Sequence, residues 1–140
     1  AFIKQMVKWS KQKFELVVEK HGAKATIGCE AFYVAKSHYF AGPWTLAKES
    51  NLKSGHFYLI ALSNVSRWNY IKFMLYLALH RDISNLAFID IIPAKSLTIR
   101  SLDDKRQAPI FQVDGDNMAV APTFVQMTPK TTEYCLPMVS

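Results

Sequence analysis

The chain has 140 residues, of which 50% are hydrophobic and 20% charged, so it has the size and composition of one folded domain and not of a disordered segment. Its 17 basic and 11 acidic residues give a net charge of +6, which favours nucleotides, nucleic acids or acidic membrane surfaces as partners without choosing among them. The two cysteines, Cys29 and Cys135, exclude a disulfide framework and a CxxC zinc site. They are interpreted as reduced core residues in a cytoplasmic protein.

The first part of the chain predicts a short helix followed by strands. Apolar residues at helical spacing indicate a helix over residues 2–12. Phe14, Leu16 and Val18 then alternate with polar residues, as in a half-buried strand. Aromatic and β-branched residues over 26–40 favour one or two further strands.

The middle of the chain predicts a fully buried strand and one long helix. Residues 56–62, HFYLIAL, form a nearly continuous apolar run, which indicates that both faces of the strand are covered. Residues 67–80 are predicted to form a helix with Ser63 or Ser66 as its N-cap. The helix carries two apolar stripes, so we expect the sheet on one side and core, a neighbouring domain or a lipid on the other. The first stripe consists of Ile71, Met74, Leu75, Ala78 and Leu79, and the second of Tyr70, Phe73 and Leu77.

The last part of the chain reads as short strands separated by Gly, Pro and Asp. Residues 103–109 form a polar loop among them. This pattern is typical of antiparallel β-sandwiches, so the fold class predicted is mainly β, with one or two helices, in a single domain over residues 1–140. The predicted strands are AFIDIIPA (87–94), SLTIRSL (96–102), PIFQVDG (109–115), TFVQMTP (123–129) and TEYCLPM (132–138).

An acidic turn lies in the segment FQVDGDNMAVAP, residues 111–122, which reads as a β-hairpin with Asp114, Gly115 and Asp116 at its tip. Asp and Gly tolerate the positive φ angles of a tight hairpin turn, so the residues have a structural explanation. Two carboxylates beside a glycine could also meet a metal-bound nucleotide or accept a proton. The local sequence leaves both explanations open.

The order of several short motifs resembles the C-terminal domain of the lipid kinases that include diacylglycerol, sphingosine and ceramide kinases. The resemblance begins in residues 35–62, continues through the helix and ends at QVDGD, and it rests on the order and spacing of the motifs. The matching residues are Tyr39, Ala41, Gly42, Ala47, Leu52, Gly55, Val113, Asp114 and Gly115.

The resemblance implies a fold and an activity. The fold is the C-terminal β-sandwich of the lipid kinase and NAD kinase-like proteins, packed against an N-terminal nucleotide-binding domain of the same parent chain. The activity is transfer of the γ-phosphoryl group of ATP, with Mg²⁺, to a lipid hydroxyl of the diacylglycerol or sphingoid type. The family's GGDGT phosphate loop does not occur in this sequence. We therefore expect a fragment that binds no cofactor and is inactive alone, because phosphoryl transfer depends on positioning and electrostatic stabilisation.

The resemblance also implies site residues. Asp114, Gly115 and Asp116 would approach the nucleotide, and Asp116 stands where the family has a glutamate that is a candidate general base. Aspartate is one methylene shorter, which favours holding a metal-bound water over taking the lipid proton directly.

The resemblance also bears on the substrate cleft and on a metal site. His38, Tyr39 and Gly42 are expected to line the substrate cleft. Bacterial members carry an Asp-Asp-Gly loop that binds a structural Mg²⁺ with neighbouring backbone carbonyls. Lys53 and Ser54 replace both acids here, so no metal is predicted at this loop.

Two other classes of function remain open from the sequence. A non-catalytic β-sandwich that binds lipid or an anionic membrane fits the basic charge and the departures at residues 53, 54 and 116. A nucleic-acid-binding β-domain also fits the charge, but no nucleic-acid motif accompanies it, so no nucleic-acid partner is expected. The four histidines lack ligand spacing, and no run is long enough to span a bilayer. The expected location is therefore the cytoplasm, with peripheral contact to membranes.

Overall fold

In the computed structural model, the described residues are 12–20, 22–39, 43–103, 109–113 and 116–129, with residues 20 and 116–119 described by backbone alone. They form two antiparallel sheets and a separate hairpin. The strands are β1 (Phe14–Lys20), β2 (Ala23–Cys29), β3 (Ala31–Ala35), β4 (Phe57–Leu62), β5 (Ile89–Ala94), β6 (Ser96–Ser101), β7 (Ile110–Val113), β8 (Asp116–Val120) and β9 (Thr123–Gln126). The four-stranded sheet has the order β2-β1-β6-β9, the three-stranded sheet has the order β3-β4-β5, and β7 and β8 form the hairpin.

The core of the sandwich lies between the two sheets. Phe14, Leu16 and Val18 of β1 are buried and pack with Leu59 of β4 and Leu97 of β6. The alternation seen in the sequence therefore faces the partner sheet, as predicted, since side chains alternate between the two faces of a strand. The predicted fold class, a mainly antiparallel β-sandwich, is confirmed.

The three-stranded sheet is a middle layer with both faces covered. On one face, Leu59 and Ala61 of β4 enter the sandwich core. On the other, Ile60 and Leu62 pack in a second cluster with Phe73 of the helix. This placement explains why β4 is apolar along almost its whole length, because each alternate residue meets a different layer.

The helix α1 (Arg67–Ala78) begins at Ser66, whose side chain accepts a hydrogen bond from the backbone N–H of Asn69. Ser66, one of the two predicted caps, therefore satisfies an otherwise unpaired N–H of the first turn. The helix ends two residues before the predicted His80, because His80 has a left-handed φ of 52° that a helix cannot continue through. None of the helices in the described part of the chain is long and apolar enough to cross a bilayer.

The two apolar stripes of α1 have different surroundings. Phe73 and Leu77 of the second stripe are buried against the sheet. Ile71, Leu75 and Leu79 of the first stripe are exposed, and Trp68 beside them is 79% exposed. The prediction that one stripe meets the sheet is confirmed, whereas burial of Ile71, Leu75 and Leu79 in this domain's core is not what the structure shows.

Some element boundaries could be placed only from the structure. The predicted strand region 26–40 consists of two strands, β2 and β3, separated by Glu30 and belonging to different sheets. β2 begins at Ala23, three residues before the predicted start, and β3 ends at Ala35. A short 3₁₀ helix (Ile83–Asn85) was not predicted, and Asp82 caps it by accepting a hydrogen bond from the N–H of Ser84. The predicted helix over 2–12, apart from Gln12, and the predicted strand TEYCLPM lie outside the described residues.

Candidate functional site

The acidic turn belongs to a two-stranded hairpin formed by β7 (Ile110–Val113) and β8 (Asp116–Val120). The backbone of Asp116 pairs with Val113, so Asp116 is the first residue of β8 and only residues 114 and 115 connect the strands. A two-residue connection is the length at which Asp-Gly is favoured, because both central positions of a type I′ turn require positive φ. Asp114 and Gly115 themselves lie outside the described residues, as does the side chain of Asp116.

Phe111 of the hairpin packs against the sandwich core. The ring centroid of Phe111 lies 5.8 Å from that of Phe14 and 5.4 Å from that of Phe32. Phe14 and Phe32 pack edge to face at 5.4 Å. These separations are in the range in which aromatic pairs attract beyond simple area burial. Phe111 thus fixes the base of the hairpin whose far end carries Asp116, three residues from Val113 along the chain.

A second cluster of polar groups surrounds a pocket of about 210 Å³ between the loop after β3 and the segment after α1. We call it the loop pocket. It combines two imidazoles, a hydroxyl, two cationic side chains and one carboxylate with two apolar side chains. Its lining residues are His38, Thr45, Leu46, Lys48, His80, Arg81, Asp82 and Ile83.

His38 lies in the wall of the loop pocket and both its ring nitrogens have neighbours. Nδ1 lies 3.1 Å from the backbone oxygen of Lys48, so Nδ1 carries the proton and donates it. Nε2 is then an acceptor in the neutral ring, and the Thr45 hydroxyl lies 3.5 Å from it. A ring oriented in this way positions the loop and contributes a polar surface, but it has no free nitrogen on the side of Lys48.

Asp82 supplies the negative charge of the loop pocket. Its carboxylate accepts hydrogen bonds from the Ser84 hydroxyl at 2.7 Å and the Ser84 N–H at 3.0 Å, and Lys48 Nζ lies 3.0 Å away. The Ser84 hydroxyl first, and then Lys48, lower the pKa of Asp82 from 3.8 to about 2. The carboxylate is therefore ionised at neutral pH, and with Lys48 and Arg81 the pocket has a small excess of positive charge, which favours an anionic group.

The structure brings only some of the sequence-predicted site residues together. His38 lines the loop pocket, whereas Tyr39, whose ring lies 4.9 Å from that of His38, is 67% exposed and outside the lining. Gly42 lies outside the described residues. The sequence reading missed Lys48 and Asp82, although the Asp-x-Ser spacing of residues 82–84 is a recognisable capping signal. Within the described residues, no group of three or more His, Cys, Asp or Glu side chains is arranged to hold a metal ion.

Comparison with known proteins gives a likeness of fold. The chain matches no protein-family model and no curated protein. It resembles solved structures from Bacillus anthracis str. Sterne that carry the name diacylglycerol kinase. One has a TM-score of 0.60 at 15% identity, and a second a TM-score of 0.58 at 13% identity. The match to the first covers 89% of this chain and 43% of the other, so this chain spans less than half the length of that protein.

Proposed function

We propose that this chain is the C-terminal domain of an ATP-dependent lipid kinase that transfers a phosphoryl group to a lipid hydroxyl of the diacylglycerol or sphingoid class. The observation that carries the proposal is the likeness over 89% of the chain to solved structures named diacylglycerol kinase, of which the match covers only 43%. The remaining length of those proteins leaves room for the nucleotide-binding domain that this chain's sequence lacks. The order of motifs from Tyr39 to Gly115 points the same way.

In the proposed reaction, the lipid hydroxyl loses its proton, its oxygen bonds to the γ-phosphorus, and ADP leaves. ATP would supply the phosphoryl group, and Mg²⁺ bound with it would neutralise the charge of that group. This chain would contribute the acidic hairpin, with Asp114 and Gly115 facing the nucleotide. Asp116 would take up the proton released by the lipid hydroxyl through one bound water. Phe111 would hold the hairpin in place.

The test is an assay of the full-length protein that contains this chain, with radiolabelled ATP, Mg²⁺ and mixed micelles of diacylglycerol, sphingosine or ceramide. We expect label in one organic-extractable lipid. Asp116→Asn should lower kcat by roughly 100-fold or more, the size of a general-base contribution, with an unchanged unfolding midpoint. Asp90→Asn is the matched control, because Asp90 is an exposed carboxylate on β5. Absence of transfer to all three lipids by the natural protein would reject the proposal.

The exposed stripe of α1 supports peripheral contact with an anionic membrane, where such a substrate resides. Trp68 is 79% and Leu75 53% exposed, and the helix carries Arg67 and Lys72 but no acidic residue. Exposed apolar residues with a tryptophan and basic neighbours are typical of helices that adsorb to acidic lipid. This observation also favours the second candidate, a β-sandwich that binds anionic membranes without catalysis.

Vesicle sedimentation of the full-length protein separates these outcomes. We expect binding to phosphatidylserine-containing vesicles that falls with added salt, because surface charge attraction is screened. The double variant Trp68→Ala, Leu75→Gln should bind less, whereas Phe124→Ala, an exposed aromatic on the four-stranded sheet, should bind as the natural protein does. Vesicle binding that changes with neither added salt nor the α1 substitutions would show that the helix is not the membrane-binding surface. Vesicle binding without kinase activity would favour the non-catalytic candidate.

A further inference from the structure

The ammonium group of Lys36 lies among oxygen atoms of one loop. Lys36 directly follows β3, and its Nζ lies 3.1 Å from the backbone oxygen of His56, 3.1 Å from the hydroxyl of Ser54 and 3.3 Å from the backbone oxygen of Asn51. It also donates to the backbone oxygen of Ser54. Four oxygens from residues 51–56 thus converge on a single positive charge. We call this arrangement the oxygen cage.

The oxygen cage has the chemistry of a cation site. Three of its members are carbonyl oxygens, which only accept, and the Ser54 hydroxyl lies 2.7 Å from the Asn51 oxygen and 2.8 Å from the His56 oxygen, so its proton can serve either. Its lone pairs remain for the ammonium. Burial lowers the pKa of Lys36 from its ordinary value, while the four acceptors favour the charged form. Carbonyl and hydroxyl oxygens around one point are also the ligands that hard cations take in proteins.

The structural Mg²⁺ that bacterial members of the resembled family bind at this loop does not fit these residues. Lys53 and Ser54 stand where the acids would be, and the point at which the oxygens converge is taken by Lys36. We propose that the Lys36 ammonium is a built-in replacement for a bound cation, so that the loop is ordered without metal. Removing the ammonium then leaves a cage that a divalent cation can enter once one acidic ligand is supplied.

The hydrogen bonds of Lys36 also help to position the wall of the loop pocket. Ser37 and His38, the two residues after Lys36, hold the same loop: the Ser50 hydroxyl donates to the Ser37 backbone oxygen at 2.7 Å, and His38 Nδ1 donates to the Lys48 backbone oxygen at 3.1 Å. Three consecutive residues at the end of β3 therefore attach the loop 47–56 to the three-stranded sheet. Lys36 is accordingly a positioning residue whose loss should loosen the wall of the pocket.

The first test is hydrogen exchange of the loop amides in the full-length protein, with EDTA and with excess calcium. We expect Lys36→Met to speed exchange over residues 51–57 by roughly ten-fold or more, the effect of losing charge-assisted hydrogen bonds. Lys53→Met is the matched control, since Lys53 is an exposed lysine of the same loop. The natural protein should exchange equally in EDTA and calcium. Equal exchange in the two variants, or slowing of the natural loop by calcium, would overturn the proposal.

The second test creates the cation site. Lys36→Ala with Ser54→Asp should bind one calcium ion by titration calorimetry, and calcium should slow exchange of residues 51–57 in that variant. Lys53→Ala with Ser54→Asp has the same change of charge but keeps the Lys36 ammonium, and it should not bind. Binding of calcium by both variants, or by neither when both are folded by circular dichroism, would contradict the proposal. Neither test depends on kinase activity, so failure here is distinguishable from failure of the proposed function.

Discussion

Replacement of Asp82 by asparagine should lower stability at neutral pH and leave it unchanged in strong acid. Asparagine can still accept the hydrogen bonds of Ser84, so the substitution removes only the negative charge that strengthens these bonds and faces Lys48. The pKa of Asp82 falls from 3.8 to about 2 on folding. Because the folded-state pKa is depressed, its stabilisation is fully present above pH 3.8 and is lost as the pH falls towards 2.

The magnitude follows from the pKa shift and the exposure of the pair. A shift of this size corresponds to at most about 2.5 kcal/mol. The side chains of Lys48 and Asp82 are 56% and 34% exposed. Solvent screening therefore reduces the expected contribution of the charge to about 1 kcal/mol. Added salt should reduce it further, because exposed ion pairs are screened.

The assay is urea unfolding of the natural protein and Asp82→Asn between pH 7 and pH 2.5. We expect the free energies of unfolding to differ by about 1 kcal/mol near pH 6 and to converge as the pH falls below 3.8. Asp90→Asn changes the net charge by the same amount at an exposed residue of β5 and controls for general charge effects. A difference that persists unchanged at pH 2.5 would refute the assignment of the effect to the Asp82 charge.

Two further predictions concern the hairpin and the buried thiol. Phe111→Ala removes the aromatic contacts with Phe14 and Phe32, so it should cost about 1–3 kcal/mol in chemical unfolding. In the proposed kinase reaction of the full-length protein it should lower kcat with little change in KM. An unchanged kcat would show that the hairpin needs no such anchor. Burial raises the pKa of the Cys29 thiol to about 12. Cys29 should therefore resist iodoacetamide at pH 8 in the folded protein and react in urea. Rapid alkylation of Cys29 in the folded protein, measured by mass spectrometry, would contradict its burial.

Local patterns in the sequence were sufficient for most of the strands. Phe14, Leu16 and Val18 alternate because one face of β1 meets the other sheet, and the continuous apolar run of β4 reflects layers on both faces. The end of α1 could not be placed in this way, since the left-handed φ of His80 is a matter of chain geometry that apolar spacing does not encode.

The polar contacts that shape the site join residues distant in sequence. Lys36 lies 15–20 residues from the oxygens around it, and Lys48 pairs with Asp82 across the helix and the preceding strand. Such contacts depend on which loops the sheets bring together, which no local pattern specifies. The hairpin was predicted from Asp-Gly, and the role of Asp116 in catalysis stays a prediction.

The most direct measurement of the central claim is the distance between the acidic hairpin and bound nucleotide. In isotope-labelled full-length protein with Mn²⁺ and ATP, paramagnetic broadening of amide signals reports proximity to the metal. We expect strong broadening for residues 113–116 and little for Asp90 on β5, with the effect removed when Mg²⁺ replaces Mn²⁺. Broadening of residues 113–116 no greater than that of Asp90 would contradict a hairpin that reaches the nucleotide.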